Sequence, residues 1–153
     1  MLRDDINKAL TEAMKAKNER AVSTLRMVNS SLKNADIEAR GAGKPALGDA
    51  EVLPLLQKMI KQRQESAELY EKGGRQELAD QERGEIAIIR DFLPQQMSEA
   101  EAKAAIAEVI AETGAQGMKD MGKVMAALKL AYAGKMDFGQ ASGLVKGLLA
   151  GTA

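Results

Sequence analysis

The chain has 153 residues, and its 22 lysine and arginine side chains are balanced by 22 aspartates and glutamates. It contains no histidine, cysteine or tryptophan, and only 3% of its residues are aromatic. These absences exclude zinc sites built on cysteine or histidine, disulfides, and any catalytic relay through imidazole. The length fits one domain, or one domain with a small second unit.

The charge balance argues against a tight, freestanding nucleic-acid binder, which normally carries a basic excess. Residues 1–93 hold 16 basic and 16 acidic side chains, and residues 94–153 hold six of each. No apolar run approaches the roughly 18 residues of a membrane span. The acidic, amphipathic start of the chain is unlike a signal peptide. We therefore expect a cytoplasmic protein that has no membrane contact and no cofactor.

Helical periodicity dominates the first 93 residues. A polar break at Lys17-Asn18-Glu19 separates a first helix from a second, which ends near Arg40, before the breakers of Gly41–Pro45. Asp49 is the expected N-cap of a third helix, in which Pro54 implies a later start or a bend. The apolar stripes of these helices are Leu2, Ile6, Ala9, Leu10, Ala13 and Met14; Val22, Leu25, Val28, Leu32 and Ala35; and Val52, Leu53, Leu56, Met59, Ile60 and Tyr70.

A helical hairpin is predicted around Gly73-Gly74, which ends the third helix. The fourth helix is closed by Pro94. Opposite charges one turn apart, such as Glu68 and Lys72, predict solvated faces along this hairpin. The apolar residues of the fourth helix are Leu78, Ile86, Ile89 and Leu93.

The composition changes at Pro94, because all eight arginines precede it and eight of the 14 glycines follow it. Ser98 and Glu101 form a capping-box pattern that begins a fifth helix, ended by Gly114. A sixth helix ends at Gly134, and Asp137 caps a seventh. No stretch alternates with a two-residue period, so the sequence predicts an all-α fold. We expect an N-terminal domain of about four helices at residues 1–93 and a compact three-helix domain at residues 94–153.

Three patterns invite a chemical interpretation without meeting its requirements. The segment Gly41–Lys44 lacks the earlier glycine, and the serine or threonine after the lysine, that a phosphate loop needs. Ser30 and Ser31 lie within a predicted helix and have no oxyanion framework. Carboxylate pairs such as Glu65 and Glu68 are interleaved with lysine and arginine, which favours ordinary charged surface over a cation site. We therefore predict no catalytic residue and no metal ligand.

Two helical stripes in the C-terminal domain have both structural and functional interpretations. A methionine stripe favours core filling over an adaptable binding groove. A glycine row in the last helix has two interpretations. It forms a shallow edge on which another backbone packs closely, or it weakens the helix, which then frays near its end. The methionines are Met118, Met121 and Met125, and the glycines are Gly139, Gly143, Gly147 and Gly151.

All basic side chains of the C-terminal domain are lysines. Lys119 and Lys123 lie one turn apart, and the loop from Gly117 to Gly122 can offer backbone N–H groups at a helix start, where phosphate binds well. Ordinary surface lysines are the competing interpretation. The candidate RNA-binding residues are Lys119, Gly122, Lys123, Lys135 and Lys146.

Several segments resemble the YqeY-like proteins of the GatB/YqeY family, and the resemblance spans about residues 1–150. The longest segment runs from Tyr70 to Glu82. Within the C-terminal domain, Met121–Met125 is similar to the family's glycine-containing helix start, whereas Phe138 stands where relatives commonly have glycine. The other matching segments and residues are Thr24-Leu25-Arg26, Lys33–Glu38, Leu93–Ser98, and Asp137, Ser142, Val145 and Lys146 in the last helix.

This resemblance implies a function. The C-terminal domain is similar to the tail domain of the B subunit of the tRNA-dependent amidotransferase, which engages tRNA away from the catalytic core. The family's label as carbon–nitrogen ligases with glutamine as amide donor reflects association with that enzyme. A tRNA-associated accessory protein, with an amidotransferase or an aminoacyl-tRNA synthetase as partner, is therefore implied.

Two other functions stay open. One is a helical protein–protein adaptor without RNA contact, favoured by the charged hairpin and the glycine row. The other is amide transfer by this chain, which ranks last because no nucleophile, base and oxyanion set can be assembled from its residues.

Overall fold

A computed structural model describes residues 1–151 of the chain. Over these residues the fold has seven α-helices, one 3₁₀ turn and no strand, so the predicted all-α class is confirmed. No helix of the described part is long and apolar enough to cross a membrane. The elements are α1 (Leu2–Lys15), α2 (Glu19–Gly41), α3 (Asp49–Lys72), α4 (Gln76–Arg90), α5 (Glu99–Thr113), the 3₁₀ turn (Met118–Asp120), α6 (Met121–Ala131) and α7 (Phe138–Leu149).

The chain forms two compact units. The N-terminal unit, Met1–Leu93, contains α1 to α4, and the C-terminal unit, from Pro94 onward, contains α5 to α7. Each unit has a hydrophobic core of its own.

The core of the N-terminal unit receives side chains from all four of its helices. They recur at three- and four-residue steps, because that spacing keeps a side chain on one face of a helix. Met14 departs from the predicted stripe and is 52% exposed. It lies about 80° around α1 from the buried Ile6, at the edge of the face that packs. The most buried apolar side chains are Ile6, Leu25, Val28, Leu32, Val52, Leu56 and Ile89.

The start of α3 differs from the prediction, because Asp49 is the first residue of the helix and not its N-cap. Gly48 takes the cap position, and its N–H donates to the Glu51 carboxylate at 2.6 Å. Asp49 instead accepts a hydrogen bond from the Leu2 N–H at 3.1 Å, which ties α1 to α3. A carboxylate at a helix start can thus be recruited by another helix, which the sequence does not reveal.

A second polar contact holds α1 against α2 and the loop before α3. The Arg3 guanidinium lies 2.6 Å from the Asp36 carboxylate and also donates to the Leu47 carbonyl. Asp36 accepts a further hydrogen bond from the Leu47 N–H at 3.0 Å. The hydrogen bond from Arg3, followed by that from Leu47, holds the pKa of the Asp36 carboxyl below its usual value.

Two further helix boundaries differ from the sequence-based expectation. α3 begins before Pro54 and continues through it, so the later start is wrong and the alternative of a bend at Pro54 stays a prediction. Proline removes one hydrogen bond from the helix, which α3 tolerates close to its first turn. α4 ends at Arg90, and Leu93 follows the helix while still packing against the core.

The hairpin of α3 and α4 turns at Gly74, which has a φ of 73° in the left-handed region. Two of its ion pairs cross between the two helices, whereas Arg75 and Glu77 pair locally at the start of α4. Arg63 Nε lies 2.9 Å from Glu85 Oε2, with both side chains only 12% exposed. Arg83 likewise pairs with Glu71. Glu68 and Lys72 are exposed and form no ion pair in the described structure.

The C-terminal unit is built around well-capped helices. Ser98 Oγ accepts a hydrogen bond from the Glu101 N–H, and Glu101 Oε1 accepts one from the Ser98 N–H, each at 3.1 Å. The predicted capping box is therefore confirmed, as is the helix stop at Gly114, whose φ is 68°. Asp137 caps α7 through the Gly139 N–H at 2.8 Å.

The core of the C-terminal unit is formed by α5, α6, α7 and the segment between the last two. α6 ends at Ala131, three residues before the predicted stop at Gly134. The most buried side chains of this core are Ile106, Val109, Val124, Leu128, Met136, Ala141 and Val145.

Candidate nucleic-acid interface

The five candidate RNA-binding residues lie on different elements of the C-terminal unit, and all are exposed. Lys119 belongs to the 3₁₀ turn, Gly122 and Lys123 to the first turn of α6, Lys135 to the segment before α7, and Lys146 to the last turns of α7. Lys119, Gly122 and Lys123 are brought together within about one turn. The described structure shows no ion pair for any of the four lysines.

The backbone donors predicted for the loop from Gly117 to Gly122 are partly engaged within the fold. The Asp120 N–H donates to the Gly117 carbonyl at 2.9 Å, and the Met121 N–H donates to the Met118 carbonyl. Because the 3₁₀ turn leads directly into α6, it uses the donors that an isolated helix start would leave free. Phosphate contacts here would therefore rest on the lysine ammonium groups and on the Met118 and Lys119 N–H groups, which have no backbone acceptor in the described structure.

Charge is segregated within the neutral C-terminal unit. α5 carries four glutamates and one lysine, whereas the residues from Gly114 onward carry five lysines and two aspartates. Neither α6 nor α7 contains an acidic side chain. Both aspartates are hydrogen-bonded to nearby backbone, Asp120 to the Gln116 N–H and Asp137 to the Gly139 N–H. Counting charges helix by helix would have found this asymmetry, which the net charge of the unit conceals.

The outer faces of α6 and α7 carry glycines as well as lacking acidic groups, and Leu130 on α6 is 88% exposed. Gly122 and Gly143 are exposed, and a methyl group added at either would meet nothing within 4 Å. At Gly139 such a methyl group would contact only the Asp137 carboxylate, at 3.1 Å. No other helix of the described structure therefore packs against Gly139 or Gly143.

Apolar and aromatic side chains of the C-terminal unit divide between core and surface. Met121 and Met125 pack against the core, as predicted, but Met118 is 48% exposed on the 3₁₀ turn. It lies outside the core because the helical stripe does not continue through the 3₁₀ turn. The aromatic rings of Tyr132 and Phe138 pack against the core as well.

The three sequence patterns considered for catalysis or metal binding gain no supporting neighbours among the described residues. Ser30 is exposed and Ser31 half-buried, both in the middle of α2. Gly41–Lys44 follows α2, not a strand, so the geometry of a phosphate loop is absent there. Among residues 1–151, no group of three or more acidic, cysteine or histidine side chains is placed to hold a metal ion.

The fold and this site define a class: a two-unit helical protein whose C-terminal unit exposes lysines without ion pairs on, and just before, two helices that have no acidic side chain. The sequence pattern of the family described as Yqey-like protein matches residues 3–149, so the chain belongs to the YqeY-like family.

Similar proteins of fungi share part of this sequence. An uncharacterized protein of Schizosaccharomyces pombe is 34% identical over 93 residues, which cover 61% of this chain and 72% of the relative. A Lachancea thermotolerans protein, named altered inheritance of mitochondria protein 41, mitochondrial, is 34% identical over 110 residues, covering 71% of this chain and 57% of the relative. The chain thus spans little more than half of that second protein.

Proposed function

We propose that the C-terminal unit binds the phosphate backbone of tRNA, and that the protein is an accessory to an amidotransferase or an aminoacyl-tRNA synthetase. The observation that carries this proposal is the segregation of charge. Lys123, Lys129 and Lys146 lie on α6 and α7, which have no acidic side chain, and Lys119 and Lys135 lie in the segments just before those helices. The glutamates are concentrated on α5. A polyanion is attracted to the first surface and repelled by the second.

The chemistry of the site favours backbone contacts over base recognition. Lysine ammonium groups bind phosphate as point charges, and the small residues on α6 and α7 let a sugar-phosphate chain approach closely. Stacking of bases is disfavoured, because the aromatic rings of this unit, Tyr132 and Phe138, are half-buried against the core. Such binding is sequence-independent and sensitive to salt.

The similarity of Met121–Met125 and the last helix to the tail domain of the amidotransferase B subunit also supports tRNA as the ligand. In this proposal a partner enzyme carries out amide transfer. The family's label as carbon–nitrogen ligases then reflects association with that enzyme. A weak binding surface fits this accessory role, because the partner supplies the remaining affinity.

The proposal is tested by titrating fluorescent tRNA at low salt and following anisotropy. The variant is Lys119→Ala/Lys123→Ala, and the matched control is Lys72→Ala/Lys103→Ala, which removes two exposed lysines outside α6 and α7. We expect the variant to weaken binding about tenfold and to lower the slope of log affinity against log salt by about two. The control should bind like the unmodified protein.

Equal, negligible binding by the unmodified protein and the variant would remove the proposal. So would an equal loss in the control, because the affinity would then follow net charge and not this surface. A glutaminase assay on the purified chain tests the remaining alternative, and convincing turnover would make the protein an enzyme.

The compartment forms part of the proposal. We place the protein in the cytoplasm, in keeping with its lack of cysteine, which is usual where thiols stay reduced. The name of the Lachancea thermotolerans relative places that protein in mitochondria. Cell fractionation with an antibody against the chain decides between the two compartments.

A further inference from the structure

An open groove of about 640 Å³ lies along one face of α2 in the N-terminal unit and begins at Lys17, just before that helix. All of its lining residues come from one stretch of chain between Lys17 and Ser30, which spans roughly 20 Å at the rise of a helix. An open face of that length matches three to four turns of a second helix. The lining residues are Lys17, Glu19, Val22, Ser23, Arg26, Met27 and Ser30.

Arg26 in this groove is a residue that packing does not explain. It belongs to Thr24-Leu25-Arg26, one of the segments on which the family resemblance rests. Leu25 is 2% exposed and is explained by packing in the core, whereas Thr24 is 0% exposed and its hydroxyl has no hydrogen-bond partner among the described residues. Arg26 is exposed and makes no hydrogen bond or ion pair with the described residues. Its guanidinium is therefore available to a partner.

The floor of the groove is apolar and adaptable. Val22 is half-buried against the core, and Met27 is 41% exposed. Arg63 Nη2 lies 4.0 Å from Met27 Sδ, so Met27 at the base of the groove contacts a side chain of α3. A flexible thioether at an exposed position suits a surface that accommodates an apolar side chain.

The charge along the groove is positive. The groove is lined by two cations, Lys17 and Arg26, and one carboxylate, Glu19. Between Glu19 and Asp36, α2 contains three cations and no acidic residue, and the third of them, Lys33, does not line the groove. Asp36 is bound by Arg3, which leaves its charge compensated. Of the three cations, Arg20 lies across α4, since a methyl group added at Gly84 would be 2.6 Å from Arg20 Nη1. Together with Lys17, Arg26 remains free to attract carboxylates.

We propose that this groove docks an acidic amphipathic helix of a partner protein. An apolar side chain of that helix packs on Val22 and Met27, and its carboxylates pair with Lys17 and Arg26. The free hydroxyl groups of Ser23 and Ser30 offer hydrogen bonds along the same face. An apolar floor between two cations favours a protein over RNA, because a phosphate backbone gains nothing from a thioether. The inference is independent of tRNA binding by the C-terminal unit.

The test observes the methionine methyl groups of the full chain by NMR after ¹³C labelling, with Met27→Leu used to assign the Met27 signal. The probe is a synthetic 14-residue helix with leucines every three to four residues and glutamates beside them. We expect it to shift the Met27 signal with a submillimolar Kd. Arg26→Ala should weaken this binding at least fivefold, whereas Arg75→Ala, an exposed arginine elsewhere, should not.

A charge reversal sharpens the result. Arg26→Glu should abolish binding of the acidic helix and restore binding to a peptide in which the facing glutamate is lysine. The inference is overturned if the Met27 signal does not move at millimolar peptide, if a lysine-containing peptide shifts the unmodified protein equally, or if an RNA hairpin shifts Met27 instead. Arg26 is exposed, so we expect its variants to fold normally. Unchanged NMR signals from the other methionines check that they do.

Discussion

The two units stabilise their helices in different ways. The N-terminal unit has the longest helices, 23 residues in α2 and 24 in α3, and joins separate elements through arginine–carboxylate pairs. The C-terminal unit has helices of 15, 11 and 12 residues, and two of them begin with side-chain caps. Ion pairs thus link separate elements of the N-terminal unit around its hydrophobic core, whereas the five lysines of the C-terminal unit from Gly114 onward form no ion pair in the described structure. Equal net charge therefore says little about which unit can bind a charged ligand.

The largest expected effect comes from truncating one core at a time. Leu56→Ala and Leu128→Ala each remove a side chain that is fully buried, in the N-terminal and the C-terminal unit respectively. Each should lower the free energy of unfolding of its own unit by about 2–5 kcal/mol. Hydrogen exchange of backbone amides in urea measures the two units separately. If Leu128→Ala removes protection from α1 to α4 as strongly as from α5 to α7, the two units unfold together. That result would contradict separate stabilisation of the two units.

A smaller effect tests the role of ion pairs in the N-terminal unit. Arg63→Ala leaves the Glu85 carboxylate, only 12% exposed, without its partner. We expect a loss of about 1–3 kcal/mol in the free energy of unfolding, measured by urea denaturation. The control is Arg75→Ala, since Arg75 and Glu77 are 61% and 66% exposed and such pairs contribute at most about 1 kcal/mol. Equal losses in the two variants would show that burial does not strengthen the pair.

The smallest effect compares a glycine from each unit. Gly143→Ala in α7 should raise the free energy of unfolding by up to about 1 kcal/mol, because the added methyl group meets nothing. Gly84→Ala in α4 should raise it less, because the Arg20 side chain has to move away. Thermal unfolding measures both. Destabilisation by Gly143→Ala would indicate that the glycine row packs against another surface in solution.

The candidate site was only partly predictable from the sequence. Lysine positions and the glycine-containing start of α6 are visible in the residues, but the 3₁₀ turn that engages the Asp120 and Met121 donors is not. The groove beside Arg26 was missed altogether. It depends on the turn at Lys17, whose φ of 56° is uncommon for a residue other than glycine, and on which face of α2 the core leaves exposed. The one available signal was Arg26 itself, next to two residues that become buried.

The sequence by itself determined the helices, the break at Lys17-Asn18-Glu19 and the caps at Ser98 and Asp137. These features depend on periodicity and on hydrogen bonds between residues a few positions apart, which the chain order fixes. Only the tertiary structure decided that Asp49 binds Leu2 and that Arg63 binds Glu85, 47 and 22 residues apart in the chain. Such partners meet only after helices pack, so the same packing also decides which charges remain free to bind a ligand.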